Sequence, residues 1–255
     1  MGLSIKATGK SDIGRVRATN QDSYDVDHDT QLFVVADGMG GHAGGEIASS
    51  VAISEIKKYL DNHKSAISNG STLNEPLICQ HLASAVNHAS ARIYEMALED
   101  PALRGMGTTV TLVKIIGDTA FTAHVGDSRL YLIRAGFLYQ ITYDHSLVNE
   151  QVRAGIITEE EAQKHHLKNV ITRSVGYQEE EDVDTTSFKI EPKDFLLLSS
   201  DGLHGKILDY ELSDRIKKEK LKAIKPLVDL ANDRGGEDNI TAIIVEVNKD
   251  EEREK

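Results

Sequence analysis

Leu32 to Glu46 reads LFVVADGMGGHAGGE. A short apolar, β-branched run, Leu32 to Ala36, predicts a buried strand that ends in an acidic residue, Asp37. Glycines follow at once, and apolar residues at Ile47, Val51, Ile53, Ile56 and Leu60 then predict a helix over Gly45–Leu60. Lys57 and Lys58 fall in its last turn, where cations suit the helix dipole. Gly38 to Ala43 fits the G-x-G-x-x-A pattern of a dinucleotide loop. Asp37 would point negative charge at a pyrophosphate, however, and the helix leads into the polar stretch Asp61–Asn74 instead of a second strand with an acidic end. The carboxylate is therefore the informative residue.

Outward from this stretch, SDIGRVRATNQD at 11–22 is polar and reads as a turn leading into a strand or loop. Asp61–Asn74 reads as a loop, and Leu77–Leu98 as a second long helix with Leu82, Val86, Ile93 and Met96 as core contacts. From Gly107 the period shortens. TTVTLVKII, TAFTAHV, SRLYLIRA and FLYQIT are separated by Gly117-Asp118, Gly126-Asp127 and Ala135-Gly136, which predicts a meander of antiparallel hairpins. Two short helical pieces flank Gly155; strands are expected at 185–190 and 195–200, helices at 209–218 and 221–233, and a last strand at 240–247. Lys249–Lys255 is a charged tail expected to fray. Many antiparallel strands with paired long helices make this an α+β layered fold.

Asp37, Asp127, Asp201 and Asp238 share one design: each stands beside glycine or asparagine at the end or start of a strand. Asp22 closes the N-terminal polar stretch. One such residue alone is a turn former. Several, from distant parts of the chain, offer the oxygen ligands that hard cations such as Mg²⁺ and Mn²⁺ take. Two such ions about 3.5–4 Å apart can clamp a phosphoryl group during in-line displacement.

The 255 residues carry a net charge of −12, which disfavours nucleic acid and anionic membrane surfaces as partners. Cys79 is the single cysteine and lies in a predicted helix with no arginine five or six residues on, so neither a disulfide, a cysteine zinc site nor a cysteine phosphatase motif is available. There is no apolar signal region and no run near the roughly 20 residues of a membrane span. The expected setting is the cytoplasm.

In these motifs the chain resembles the metal-dependent serine/threonine protein phosphatases of type 2C, and its small bacterial members most. The matching pieces are SDIGRVRATNQD at 11–22, VVADGMGGHAGGEIAS at 34–49, GMGTTVTLV at 105–113, HVGDSRLY at 124–131, DHS at 144–146, LLLSSDGL at 196–203 and GGEDNITAIIV at 235–245. The resemblance implies a β-sandwich of two antiparallel sheets flanked by pairs of helices, in one catalytic domain over 1–248 with a flap at about 146–174. It implies that Asp37, Asp201 and Asp238 hold one Mn²⁺ or Mg²⁺ and that Asp22, Asp37 and the Gly38 carbonyl hold a second. Asp127, with Asp201, would serve a weaker third ion, and Arg17 would bind the substrate phosphate. The implied reaction is direct hydrolysis of phosphoserine or phosphothreonine in proteins by a hydroxide bridging two ions. A serine/threonine kinase is the implied counterpart, and a monomer the implied state.

The chain departs from that pattern twice. Met39 stands where many eukaryotic members place a histidine, leaving His42 as the candidate general acid. Gly205 stands where many relatives have an acidic residue, which weakens the case for the third ion. Arg15 reads as solvated and Arg129 as structural, adjacent His165 and His166 as surface residues that do not share a face, and Glu159–Glu161 and Glu179–Asp182 as solvated charge runs. Two other functions are open at this point: a silent phosphatase fold that binds phosphoproteins, and a hydrolase of small phosphate esters.

Overall fold

The computed structural model describes residues 2–41, 43–64 and 74–250, without the side chain of residue 163. Its strands form two antiparallel sheets. One runs β1 (Leu3–Asp12), β11 (Ile240–Lys249), β10 (Phe195–Ser199), β7 (Arg129–Arg134) and β8 (Phe137–Gln140). The other runs β2 (Asp22–Asp27), β3 (Leu32–Met39), β5 (Val110–Ile116), β6 (Thr119–Val125) and β9 (Asp184–Lys189), with the two-residue β4 (Gly107–Thr108) paired to the end of β3.

Three apolar layers explain the stacking. Phe33, Val35, Val113, Leu130, Leu196, Leu198, Ile243 and Val245 fill the space between the sheets. Val34, Leu112 and Phe121, on the opposite face of the second sheet, bury against helices α1 (Gly44–Asn62) and α2 (Glu75–Glu99). Tyr131, Leu197, Ala242 and Ile244 do the same for the first sheet, whose cover includes α6 (Asp209–Glu219) and α7 (Ile224–Asp233). Successive side chains of a strand point to opposite faces, so the run Phe195–Leu198 of β10 is apolar at every position and serves both layers. The result is the sandwich with flanking helix pairs that the resemblance implies. Three short helices complete the fold: α3 (Leu147–Arg153), α4 (Glu159–Lys164) and α5 (Asp201–His204).

The predicted meander is broken in the middle. β5–β6 and β7–β8 are hairpins, but β6 and β7 do not pair; at Gly126-Asp127-Ser128 the chain leaves one sheet for the other. β1 is a strand where none was expected over 3–10, and 11–22 is a strand end followed by a loop that leads into the strand β2. Lys57 is engaged by Asp25 on β2 at 2.7 Å, so it pins α1 to the sheet instead of serving the helix end. His165 and His166 do share a side: past the end of α4 their rings stack at 4.6 Å. Glu161 closes a capping box with Thr158, and Glu181 is buried, its N–H donating to Asn87 Oδ1 at 2.9 Å. The expected loop at 61–74 and tail at 249–255 lie largely outside the described residues, although α1 continues to Asn62 and β11 to Lys249.

Two histidines, His124 fully buried and His204 partly so, make the fold sensitive to acid. Desolvation pushes His124 down to about 4 and His204 to about 3. In the neutral His124 ring, Nε2 donates to the Tyr143 carbonyl at 3.1 Å and Nδ1 meets the Thr111 hydroxyl at 2.9 Å. Their native values lie below the ordinary histidine value near 6.5, so between the two the unfolded chain binds protons that the native chain does not. Their contribution is therefore complete above pH ~6.5 and is lost as pH falls toward 4. Replacing His124 with glutamine is expected to remove up to about 1.4 kcal/mol per pH unit from the acid-side slope of stability. Urea melts at pH 7.0, 5.5 and 4.5 check this; parallel slopes for both proteins would refute it.

Candidate metal centre

The strands carrying the five aspartates alternate in direction, which brings their relevant ends to one end of the sandwich. Asp22 opens β2 and pairs across the ladder with Asp37 on β3. Asp127 sits at the crossover from β6 to β7. Asp201 follows β10, and Asp238 precedes β11. The sequence interval between Asp22 and Asp238 thus closes into one acidic cluster, with Asp22 buried and the other four partly accessible.

Each carboxylate pays for its surroundings. Asp37 is raised well above the carboxylate range, first by desolvation and then by Asp22, Asp201, Asp127 and Asp238. Desolvation also lifts Asp22 and Asp201 to about 6 and Asp127 to about 7; the Asp201 charge adds to the rise at Asp22 and Asp127, and the Asp238 charge to that at Asp201. Ser200 donates to Asp22 Oδ2 at 2.8 Å, joining the two sheets, but Asp22 Oδ1 and Asp201 Oδ1 are buried and meet no donor. Orphaned oxygens and mutual repulsion are what a cation would relieve, and an all-oxygen donor set suits Mn²⁺ or Mg²⁺. Among the described residues no three His, Cys, Asp or Glu side chains form a closed metal cage as they stand, so the fit rests on donor chemistry and those two oxygens.

Arg17 is half-exposed and its Nη2 donates to Asp238 Oδ2 at 2.6 Å, which places the expected phosphate ligand at the edge of the cluster. Gly38 has no room for a side chain: a Cβ there would overlap the carbonyl oxygens of Gly45 and Gln21. His42 lies outside the described residues. Gly205 sits one turn after Asp201, with its N–H on the Asp201 carbonyl at 2.8 Å. Arg129 is structural, as expected: it forks onto Asp144 at 2.8 and 2.6 Å and reaches Tyr131 Oη at 3.0 Å. Arg15 is exposed.

The supporting residues escaped the sequence reading. The Asp37 N–H donates to Thr109 Oγ1 at 2.9 Å, its carbonyl accepts from Thr109 N–H at 2.8 Å and from Thr108 Oγ1 at 2.9 Å, and Thr109 is tied on to Ser128 Oγ at 2.8 Å. Asn239 accepts from Gln21 N–H at 2.8 Å and donates to the carbonyls of Ile13 and Thr19 at 2.9 and 3.0 Å, stapling the 13–21 loop against β11. One signal was available: Ser128, Ser200 and Asn239 are each the chain neighbour of a cluster aspartate.

Comparison with known proteins shows the family. The family model described as protein phosphatase 2C matches residues 8–243. The chain belongs to the protein phosphatase 2C family. Its enzyme class is accordingly that of the serine/threonine phosphatases. Among relatives of this phosphatase 2C chain, protein phosphatase PhpP of Streptococcus pneumoniae is 39% identical over 249 residues, covering 94% of this chain and 97% of its own. The serine/threonine phosphatase of S. agalactiae superimposes with a TM-score of 0.85 at 37% identity, over 95% of this chain and 99% of that one. The catalytic domain of the phosphatase PstP, solved in complex with two manganese ions, superimposes with a TM-score of 0.84 at 33% identity, over 97% of this chain and 100% of that one. Among the described residues no helix is long and apolar enough to cross a membrane.

Proposed function

We propose that the chain hydrolyses phosphoserine and phosphothreonine in proteins, using two Mn²⁺ or Mg²⁺ ions, as a monomer of the cytoplasm opposed by a serine/threonine kinase. The observation that carries this is the five-aspartate cluster with Asp22 directly opposite Asp37 and two carboxylate oxygens without donors. Asp37, Asp201 and Asp238 would hold one ion; Asp22, Asp37 and the Gly38 carbonyl the other; Asp127 with Asp201 would serve a weaker third. When bound, the two ions supply Lewis-acid charge and lower the pKa of the attacking water, which displaces the seryl or threonyl oxygen without a phosphoenzyme.

The chain's own groups account for the remaining work. Arg17 can release Asp238 and turn its planar guanidinium to two phosphate oxygens, an exchange between two anions at one exposed position. Ser200 and Thr109 fix Asp22 and Asp37 so that the acidic cluster is not reorganised when charge builds on the phosphoryl group. His42 is the candidate proton donor to the leaving oxygen. The segment 146–174, with α3 and α4, serves as the flap over the bound protein.

Phosphate release from a phosphothreonine peptide is expected to need Mn²⁺ or Mg²⁺ and to stop on chelation. No release with any divalent cation would end the proposal, and release undiminished by chelator would end its metal part.

A further inference from the structure

Backbone beside two of the aspartates is held from outside the acidic cluster. Thr108 and Val175 exchange N–H···O bonds of 3.0 and 2.9 Å, and the Thr108 hydroxyl donates to the Asp37 carbonyl. His145 N–H donates to the Gly126 carbonyl at 2.7 Å, and Gly126 N–H donates back to His145 Nδ1 at 3.1 Å. His145 and Val175 are the residues that bound the segment 146–174. The end of the segment is also tied back to its start, because Thr172 N–H donates to the His145 carbonyl at 2.8 Å.

The ring bond at Gly126 is the telling one. Gly126 has φ +110° and packs so closely on Thr109 that a Cβ would overlap its side chain. It therefore has no side chain to fix the turn that delivers Asp127, and the His145 ring supplies the anchor. That ring is buried and lies 4.8 Å from the His124 ring. With Nδ1 accepting from Gly126, the proton sits on Nε2, which faces Asp184 Oδ2 at 3.2 Å. Arg173 Nη1 holds the other Asp184 oxygen at 3.0 Å. A chain of contacts thus runs from Arg173, near the end of the segment, through Asp184 and His145 to the turn at Asp127.

We propose that His145 is a positioning residue: its Nδ1 fixes the Gly126 turn that aims Asp127 into the acidic cluster, and it thereby couples the segment 146–174 to that cluster. For the role of Asp127 the proposal rests on the phosphatase reading above. His145 touches neither phosphate nor cation; it acts through the Gly126 amide.

Two substitutions separate this from simple core filling. Asparagine places an acceptor oxygen where Nδ1 stands, whereas glutamine reaches the Nε2 position and leaves Gly126 N–H without a partner. The readouts are Mn²⁺ affinity by calorimetry, kcat and KM on a phosphothreonine peptide, and the melting temperature of each protein. His145→Asn is expected to keep Mn²⁺ affinity and kcat within about threefold, while His145→Gln loses about 10- to 100-fold in one or both with KM little changed. Asp184→Asn, at a half-exposed position, keeps the core filled and is expected to move the same readouts in the direction of His145→Gln by about three- to tenfold. Equal impairment of the Asn and Gln variants in step with their melting temperatures would overturn the proposal, as would a Gln or Asp184→Asn protein that matches wild type. A wild-type chain that binds no Mn²⁺ and releases no phosphate would overturn the phosphatase reading and this proposal together. A working wild type with the wrong variant order overturns only the latter.

Discussion

Asp37→Asn is expected to lower metal-dependent turnover on the order of 10³-fold while leaving the metal-free protein as stable as wild type or more so. Both halves follow from one environment. Asp37 stands opposite Asp22 in the β2–β3 ladder and feels the charges of Asp201, Asp127 and Asp238 as well. An isosteric neutral amide ends that repulsion, and its NH₂ can donate to a neighbouring carboxylate such as Asp22, whose Oδ1 has no donor. The same change removes the carboxylate proposed to serve both ions. Mn²⁺ should then raise the melting temperature of the wild type and scarcely move that of the variant. Turnover within about tenfold of wild type would show that Asp37 is not a shared ligand. Melting without Mn²⁺ at a clearly lower temperature would show that the cluster is not under electrostatic strain.

Gly202→Ala is the second large effect, and it acts through the backbone. Gly202 follows Asp201 in α5, and its Cα faces the Asn239 carbonyl so closely that a Cβ would fall well inside contact distance of that oxygen. The obstacle is main chain at the start of β11, which cannot swing aside as a side-chain tip could. A loss of about 3 kcal/mol or more is expected, seen as a fall of roughly 6–12 °C in melting temperature. Because the same approach sets Asp201 beside Asp238, turnover should fall further than the unfolded fraction accounts for. A variant melting within about 2 °C of wild type would mean that the strand and helix ends are not held this tightly.

How much of this could be read beforehand depended on which residues carry the signal. β3 and β10 were legible because they are buried on both faces and carry the uninterrupted apolar runs LFVVA and FLLL. β1 and β2 were not. In LSIKATGKSD the apolar residues turned inward are Leu3, Ile5 and Ala7, and in DSYDVD the apolar one is Val26, so neither shows a full alternating apolar stripe. The crossover at Gly126-Asp127 carries the same local chemistry as a hairpin turn, and only the placing of β6 and β7 in different layers tells them apart. The five aspartates were visible one by one, but the residues that hold them were not. Thr109, Ser200, Asn239 and His145 act through hydrogen bonds across 72 residues (Thr109 to Asp37), 178 residues (Ser200 to Asp22), 218 residues (Asn239 to Gln21) and 19 residues (His145 to Gly126), the Ser200 bond reaching a side chain and the others a backbone N–H. No local pattern records such distances.

The pairing of β1 with β11 has a consequence for how the enzyme is made. Leu3 lies against Lys249, and β1 has no other neighbour in its sheet. On a ribosome β1 must therefore wait, unpaired in that sheet, until β11 has emerged. Asp238 and Asn239, on the doorstep of that last strand, reach the cluster at the same late moment. A nascent chain can thus collect Asp22, Asp37, Asp127 and Asp201 and still lack the fifth aspartate of the cluster until β11 has emerged.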